Sequence, residues 1–199
     1  REEREKIRKD AIEDGTWMKA PNGENSNLSE MDWVTVRTKA FKDWFGDWAD
    51  RNSSHSLIVD SNGEPIPVYH YTSEDFTVFD RSKARKATDV DGFFFAPSHE
   101  DWSAMGDKLI TAFLNIRRPA INPVLALGQT YDAGVKERLR LEREGYDGII
   151  NGDSEEGIEY VAFYPNQIKR TDGEAFSPNS DDIRFRRKKA HLAGVHTLT

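Results

Sequence analysis

Two ionisable side chains stand where chemistry could use them. His70 lies in Val68-Tyr69-His70-Tyr71-Thr72 and Glu159 in Ile158-Glu159-Tyr160-Val161-Ala162-Phe163, each a short run rich in aromatic and β-branched residues. Between them in sequence, Gly92-Phe93-Phe94-Phe95-Ala96 forms a third strand-like run with an all-aromatic centre. A carboxylate can stabilise positive charge growing at a reacting carbon, an imidazole can hold a hydroxyl, and aromatic rings can receive a flat heterocycle. Taken singly, each piece also has a plainer reading. His70 fits a satisfied core histidine, Glu159 an outward residue of an edge strand, and the three Phe ordinary core. Their order and combination point to a histidine and a carboxylate sharing one cleft.

The elements that must position these groups follow from patterning. Arg1 to Asp14 reads as a solvated, charged helix. Asn27 or Ser29 supplies a helix cap, and from Met31 to Trp48 the residues Trp33, Val36, Ala40, Phe41, Trp44, Phe45 and Trp48 recur at three and four, which predicts one amphipathic helix packed on a sheet. Leu57 to His70 reads as a hairpin about an Asn62-Gly63 turn, with Pro65 and Pro67 placing part of its return at an edge. Phe76 to Asp80 is a short strand or turn, and Arg81 to Asp89 a polar loop. Asp101 to Leu114 is helical in pattern. A strand-and-turn region after Arg117-Arg118-Pro119 leads to a charged helix over Val135 to Glu144, closed by Gly145. Tyr146 to Ile150 pairs with Ile158 to Phe163 across an acidic loop, Asn151 to Gly157, and Pro165 to Lys169 gives a turn and last strand. The expected organisation is an N-terminal helical extension (1–54) packing on a core domain (55–176), followed by a polar and basic tail (177–199).

Composition removes several classes. The chain has 199 residues, no cysteine and a formal net charge of −7, so disulfides and thiolate metal sites are excluded and whole-surface adhesion to nucleic acid is disfavoured. Its five histidines stand apart without ligand spacing, so no metal is expected. No Gly-rich phosphate loop of the Rossmann or Walker type occurs. No apolar run approaches a membrane span and the charged opening is unlike a signal peptide, so a soluble, cytoplasmic protein is expected. The start on Arg1 rather than Met reads as a piece of a larger polypeptide. Arg184 to Lys189 is a basic run, read first as a solvated tail.

The His-x-Thr, Gly-(aromatic)₃-Ala and Glu-Tyr-Val strands, in that order, resemble the NAD-binding core of ADP-ribosyltransferases of the diphtheria-toxin and poly(ADP-ribose) polymerase group. His70 and Glu159 match the first and last members of that group's His-Tyr-Glu triad, and its middle Tyr falls on Phe94. The Gly that commonly follows the motif histidine is Tyr71 here, and the Tyr on the other face of the nicotinamide falls near Met105, with Trp102 a substitute. A closer resemblance runs through Trp17 to Gly23, Val36 to Trp48, Phe113 to Ile116, Tyr146 to Ile150, Glu159 to Lys169 and Asp182 to Phe185. These segments are similar to the ADP-ribosyltransferase domain of polyvalent proteins, long multidomain proteins of phages and conjugative elements that enter a host with invading DNA.

The resemblance implies an α+β fold with a split β-sandwich core, NAD as co-substrate, and transfer of ADP-ribose to a host protein or nucleic acid. Under it, Glu159 stabilises the oxocarbenium-like state, as in glycoside hydrolysis. His70 donates to a ribose hydroxyl, the main chain of Tyr71 clamps the carboxamide, and Thr72 stands with them among the NAD-binding residues. Gly92, Phe93, Phe94 and Phe95, with Trp102 and Met105, line the nicotinamide pocket. Arginine-modifying relatives carry Gln or Glu two residues before the catalytic Glu; here that residue is Gly157, which disfavours arginine as acceptor, while Glu155 and Glu156 read as solvated. The alternatives are an NAD glycohydrolase, with water as acceptor, and a non-catalytic module that binds protein or nucleic acid.

Overall fold

A computed structural model describes residues 1–72, 80, 90–98, 108–125, 132–153, 157–172, 181 and 183. Among the described residues, seven strands form two sheets. One has the order β1 (Val68–Thr72), β3 (Lys108–Leu114), β7 (Ile168–Arg170), antiparallel throughout; the other has the order β2 (Phe93–Phe95), β6 (Gly157–Ala162), β5 (Gly148–Asp153), β4 (Pro119–Ile121), with only β4 and β5 parallel. The result is the α+β split sandwich that the resemblance implies.

Period-two alternation sorts each strand between two environments. Val68, Ile110, Ala112, Leu114 and Ile168 of the first sheet meet Phe93, Phe95, Tyr160 and Ala162 of the second in a core between the sheets. The outer face of the first sheet is covered by the N-terminal segment, where α1 (Glu2–Asp14), α2 (Glu30–Thr35) and α3 (Lys39–Phe45) bring Trp33, Val36, Phe41, Trp44 and Phe45 onto Phe113. The outer face of the second sheet is partly covered: α4 (Ala133–Arg143) sets Leu141 against Val90, Ala120, Ile149, Val161 and Phe163.

Four expectations are corrected. The single helix over Met31 to Trp48 is two, because Thr38 turns extended and its hydroxyl accepts the Phe41 N–H, starting α3 afresh, just as Ser29 accepts from Asp32 to start α2. Lys108 to Leu114, read as the end of a helix, is the central strand β3. It bonds to β1 on one side and β7 on the other and is apolar on both faces toward its end, so it lacks the alternation that betrays a half-buried strand. The hairpin before His70 shrinks to one bridge, Val59 with Pro65, closed by Asp60 Oδ1 accepting from Asn62 and Glu64; its prolines withhold the donors a ladder needs. The acidic loop also contracts, since β5 runs on through Asp153 and β6 starts at Gly157. The segments at 73–79, 81–89 and 101–107 and the basic run at 184–189 lie outside the described residues.

The N-terminal segment is stitched to the sandwich by polar contacts as well. Trp44 Nε1 donates to the Asn166 carbonyl at 2.7 Å, and Asn115 Nδ2 and Arg117 Nη2 donate to the Trp44 carbonyl at 2.8 and 3.0 Å. Arg37 lies over the Trp33 ring, 3.6 Å from its centroid, and donates to the fully buried Glu64 at 2.8 Å. Burial lowers the pKa of Arg37 and the pairing with Glu64 opposes that shift.

Candidate active site

The three motif strands are neighbours. β1 and β2 meet at one bridged pair, where Tyr69 N donates to the Ala96 carbonyl at 2.8 Å and Ala96 N to the Tyr69 carbonyl at 3.0 Å. On its other edge β2 pairs with β6 in the register Phe93 with Ala162, Phe94 with Val161 and Phe95 with Tyr160. Continued by one residue, that register sets Glu159 beside Ala96. The end of β2 is therefore the point to which all three strands converge and from which the sheets diverge.

Gly92 makes the approach of β2 possible, because a Cβ there would run into the Val161 side chain and stand 3.0 Å from the Ala162 carbonyl. The start of the strand is fixed from α4. Asp91 N donates to the Gly134 carbonyl at 3.0 Å, and Arg138 Nε donates to the Asp91 carboxylate at 3.0 Å inside a largely buried pair.

His70 is half-buried, with its ring tilted 43° to that of Phe95 at 5.3 Å between centroids. Its Nδ1 lies 2.8 Å from the Phe94 carbonyl. A carbonyl only accepts, so Nδ1 carries the hydrogen and Nε2 of the neutral ring is an acceptor. Burial pushes the imidazole pKa below its ordinary value, against the opposing effect of the Phe94 bond. In this tautomer Nε2 can only accept, whereas the sequence reading has His70 donate to a ribose hydroxyl.

Alternation fixes what each motif strand shows to the split. Ile158, Tyr160 and Ala162 turn into the core between the sheets while Val161 and Phe163 turn outward, so Glu159, half-buried, shares the outward face with Val161 and its partner Phe94. Phe93 and Phe95 are buried in the inter-sheet core; Phe94 is the half-buried ring of the three, packed at the edge of the outer cluster. Tyr71 and Thr72 are half-buried at the end of β1. Because Tyr69 directs its main-chain groups to Ala96, alternation turns those of Tyr71 the same way, toward the split. His70 and Glu159 approach from the two faces of β2, and Phe94 links them, its carbonyl bound to His70 and its ring on the face of Glu159. A ligand lying across the end of β2 would meet a hydroxyl-binding nitrogen, a carboxylate, an aromatic ring and main-chain amide groups. Those are the groups that a nicotinamide ribose and its carboxamide call for.

Trp102, Met105, Glu155 and Glu156 lie outside the described residues. Two further residues of this region escape a reading by motif. Asn151 lies opposite Glu159 in the β5–β6 ladder. Asn122, left-handed at φ 44°, donates its N–H to the Ile150 carbonyl at 2.9 Å and accepts the Gly152 N–H on Oδ1 at 2.8 Å. The signal for Asn151 was hairpin symmetry: pairing counted back from Asp153 and Gly157 puts it level with Glu159.

Among the described residues no group of three or more His, Cys, Asp and Glu side chains could hold a metal, and no helix is long and apolar enough to cross a membrane. A family model described as "ADP-Ribosyltransferase in polyvalent proteins" matches residues 60–177. A search of curated proteins finds no match. Among solved structures, one titled "Crystal structure of an anti-CRISPR protein" aligns over 52% of this chain and 91% of its own at 12% identity and a TM-score of 0.34, a likeness too slight to compare the folds.

Proposed function

Since this chain belongs to the ADP-ribosyltransferases of polyvalent proteins, we propose that it is a mono-ADP-ribosyltransferase that takes ADP-ribose from NAD and transfers it to a host macromolecule. The observation that carries the reading is the convergence of β1, β2 and β6 at Ala96, with His70 bound to Phe94 and Glu159 on the face of Phe94. His70 Nε2 holds a ribose hydroxyl, Phe94 stacks on the nicotinamide, and the main chain of Tyr71 takes its carboxamide. The Glu159 carboxylate stabilises the positive charge that grows at the anomeric carbon as the C–N bond opens and its electron pair leaves with nicotinamide. The acceptor's nucleophile then forms the new bond at that carbon. In this reading the domain is an effector of a phage or mobile element, part of a longer polypeptide that acts in the host cytoplasm after delivery.

Glu159→Gln tests the central assignment. Nicotinamide release should fall by about a hundredfold to a thousandfold, the scale of one preorganised electrostatic group; a wild-type rate in the variant overturns the role. Incubation with labelled NAD and fractionated host protein, DNA and RNA identifies the acceptor by the fraction that keeps label. Nicotinamide release with no fraction labelled identifies a glycohydrolase instead.

A further inference from the structure

The β5–β6 hairpin presents a second polar group beside Glu159. Asn151 pairs with Glu159 across the ladder, which sets cross-strand Cβ atoms about 4.5–5.5 Å apart on one face. Ile149, two residues back on the same strand, belongs to the outer cluster with Val161, so Asn151 shares the outward face with Glu159 and Phe94. Its side chain is half-buried and has no hydrogen-bond partner among the described residues.

Two features hold this side chain in place. Asn122 grips the residues on both sides of it, through the Ile150 carbonyl and the Gly152 N–H. Gly152, at φ 84°, lies so close to β6 that a Cβ would overlap the Gly157 carbonyl, so no larger residue fits there. A solvated polar residue on a hairpin needs neither device. The chemistry at this position is selective too. A carboxylate there would face Glu159 with like charge and favour its protonation, whereas a carboxamide is neutral and brings both donors and an acceptor.

We propose that Asn151 is a ribose-binding residue of this site, its carboxamide holding the 3′-hydroxyl of the nicotinamide ribose while Glu159 receives the adjacent 2′-hydroxyl. This rests on the reading of Glu159 as the ribose-facing carboxylate. The two side chains complement a vicinal diol: an acceptor-only group for one hydroxyl and a donor–acceptor group for its neighbour, fixed side by side on adjacent strands. Asn151 selects and orients the sugar and takes no proton.

The test compares NAD with its analogue lacking the nicotinamide-ribose 3′-hydroxyl, by nicotinamide release, in wild type, Asn151→Leu and Asn151→Gln. Wild type should prefer NAD by about tenfold in kcat/KM, the size of one hydrogen bond made from a constrained polar group. Asn151→Leu should lower kcat/KM for NAD by a similar factor and handle both substrates alike, while Asn151→Gln keeps part of the preference. A wild type indifferent to the hydroxyl, or an Asn151→Leu enzyme as selective as wild type, overturns the proposal while leaving Glu159 untouched. Failure of the underlying reading shows separately, as undiminished nicotinamide release by Glu159→Gln.

Discussion

The outer face of the β1–β3–β7 sheet is sealed by an aromatic layer running from Trp33 to Trp48, whereas among the described residues the outer face of β2–β6–β5–β4 is packed by α4 at one end, and Phe94, Asn151 and Glu159 at the other are half-buried. Both faces alternate in the same way and both carry aromatic residues. The difference lies in what covers them. On the first, rings pack on rings: Phe41 stacks on Phe45 at 5.0 Å between centroids and meets Phe113 edge-on at 5.2 Å. On the second, the apolar cluster among the described residues reaches Val161, and the next outward residue of β6 is a carboxylate. A sheet face closed along its length serves stability, and one closed at a single end can offer its other end to a ligand.

The contrast can be broken by substitution. Phe41→Ala should cost about 3–5 kcal/mol in denaturant unfolding, as expected for a ring with 1% exposure. Glu64→Ala strands Arg37 in a buried setting beneath the same layer and should cost about 3 kcal/mol by the same measurement. Phe94→Ala, at the half-buried end, should cost only about 1–2 kcal/mol, in line with partial burial. If Phe94→Ala matches Phe41→Ala, the second face is as closed as the first and the site is filled.

The smallest effect sharpens the comparison through pH. Burial holds the folded pKa of His70 below the ordinary value of 6.5, so below that value the unfolded chain binds more protons than the folded one. Stability contributed by neutral His70 is present above 6.5 and is lost as pH falls toward the folded pKa. Wild type should therefore lose more stability than His70→Gln between about pH 7.5 and about pH 5. Equal slopes would place the imidazole in water rather than at the edge of a core.

Legibility in the sequence followed local self-sufficiency. β1, β2 and β6 could be read because each is a short aromatic or β-branched run bounded by turn residues, and α4 because it ends at Gly145. β3 could not, because its neighbours β1 and β7 make it a strand and its own pattern does not. The break between α2 and α3 was hidden because Trp33, Val36, Ala40 and Phe41 keep helical spacing across it; only the Thr38 hydroxyl on the Phe41 N–H reveals the restart. At the site, His70 and Glu159 were visible as types in motifs. The assignment of Nε2 as acceptor depended on the Phe94 carbonyl, a main-chain group that no side-chain pattern reports, and Asn151 was hidden inside what read as a loop.

The hydrogen bond from the Trp44 indole to Asn166 joins a residue ahead of the family's matched span to the turn that launches β7. A protein trimmed to residues 60–177 would bare Phe113 to water and release that turn from its anchor. The boundary of family likeness and the boundary of the folding unit are then different places on this chain, and recombination or truncation that respects only the first would deliver a sandwich missing one of its slabs.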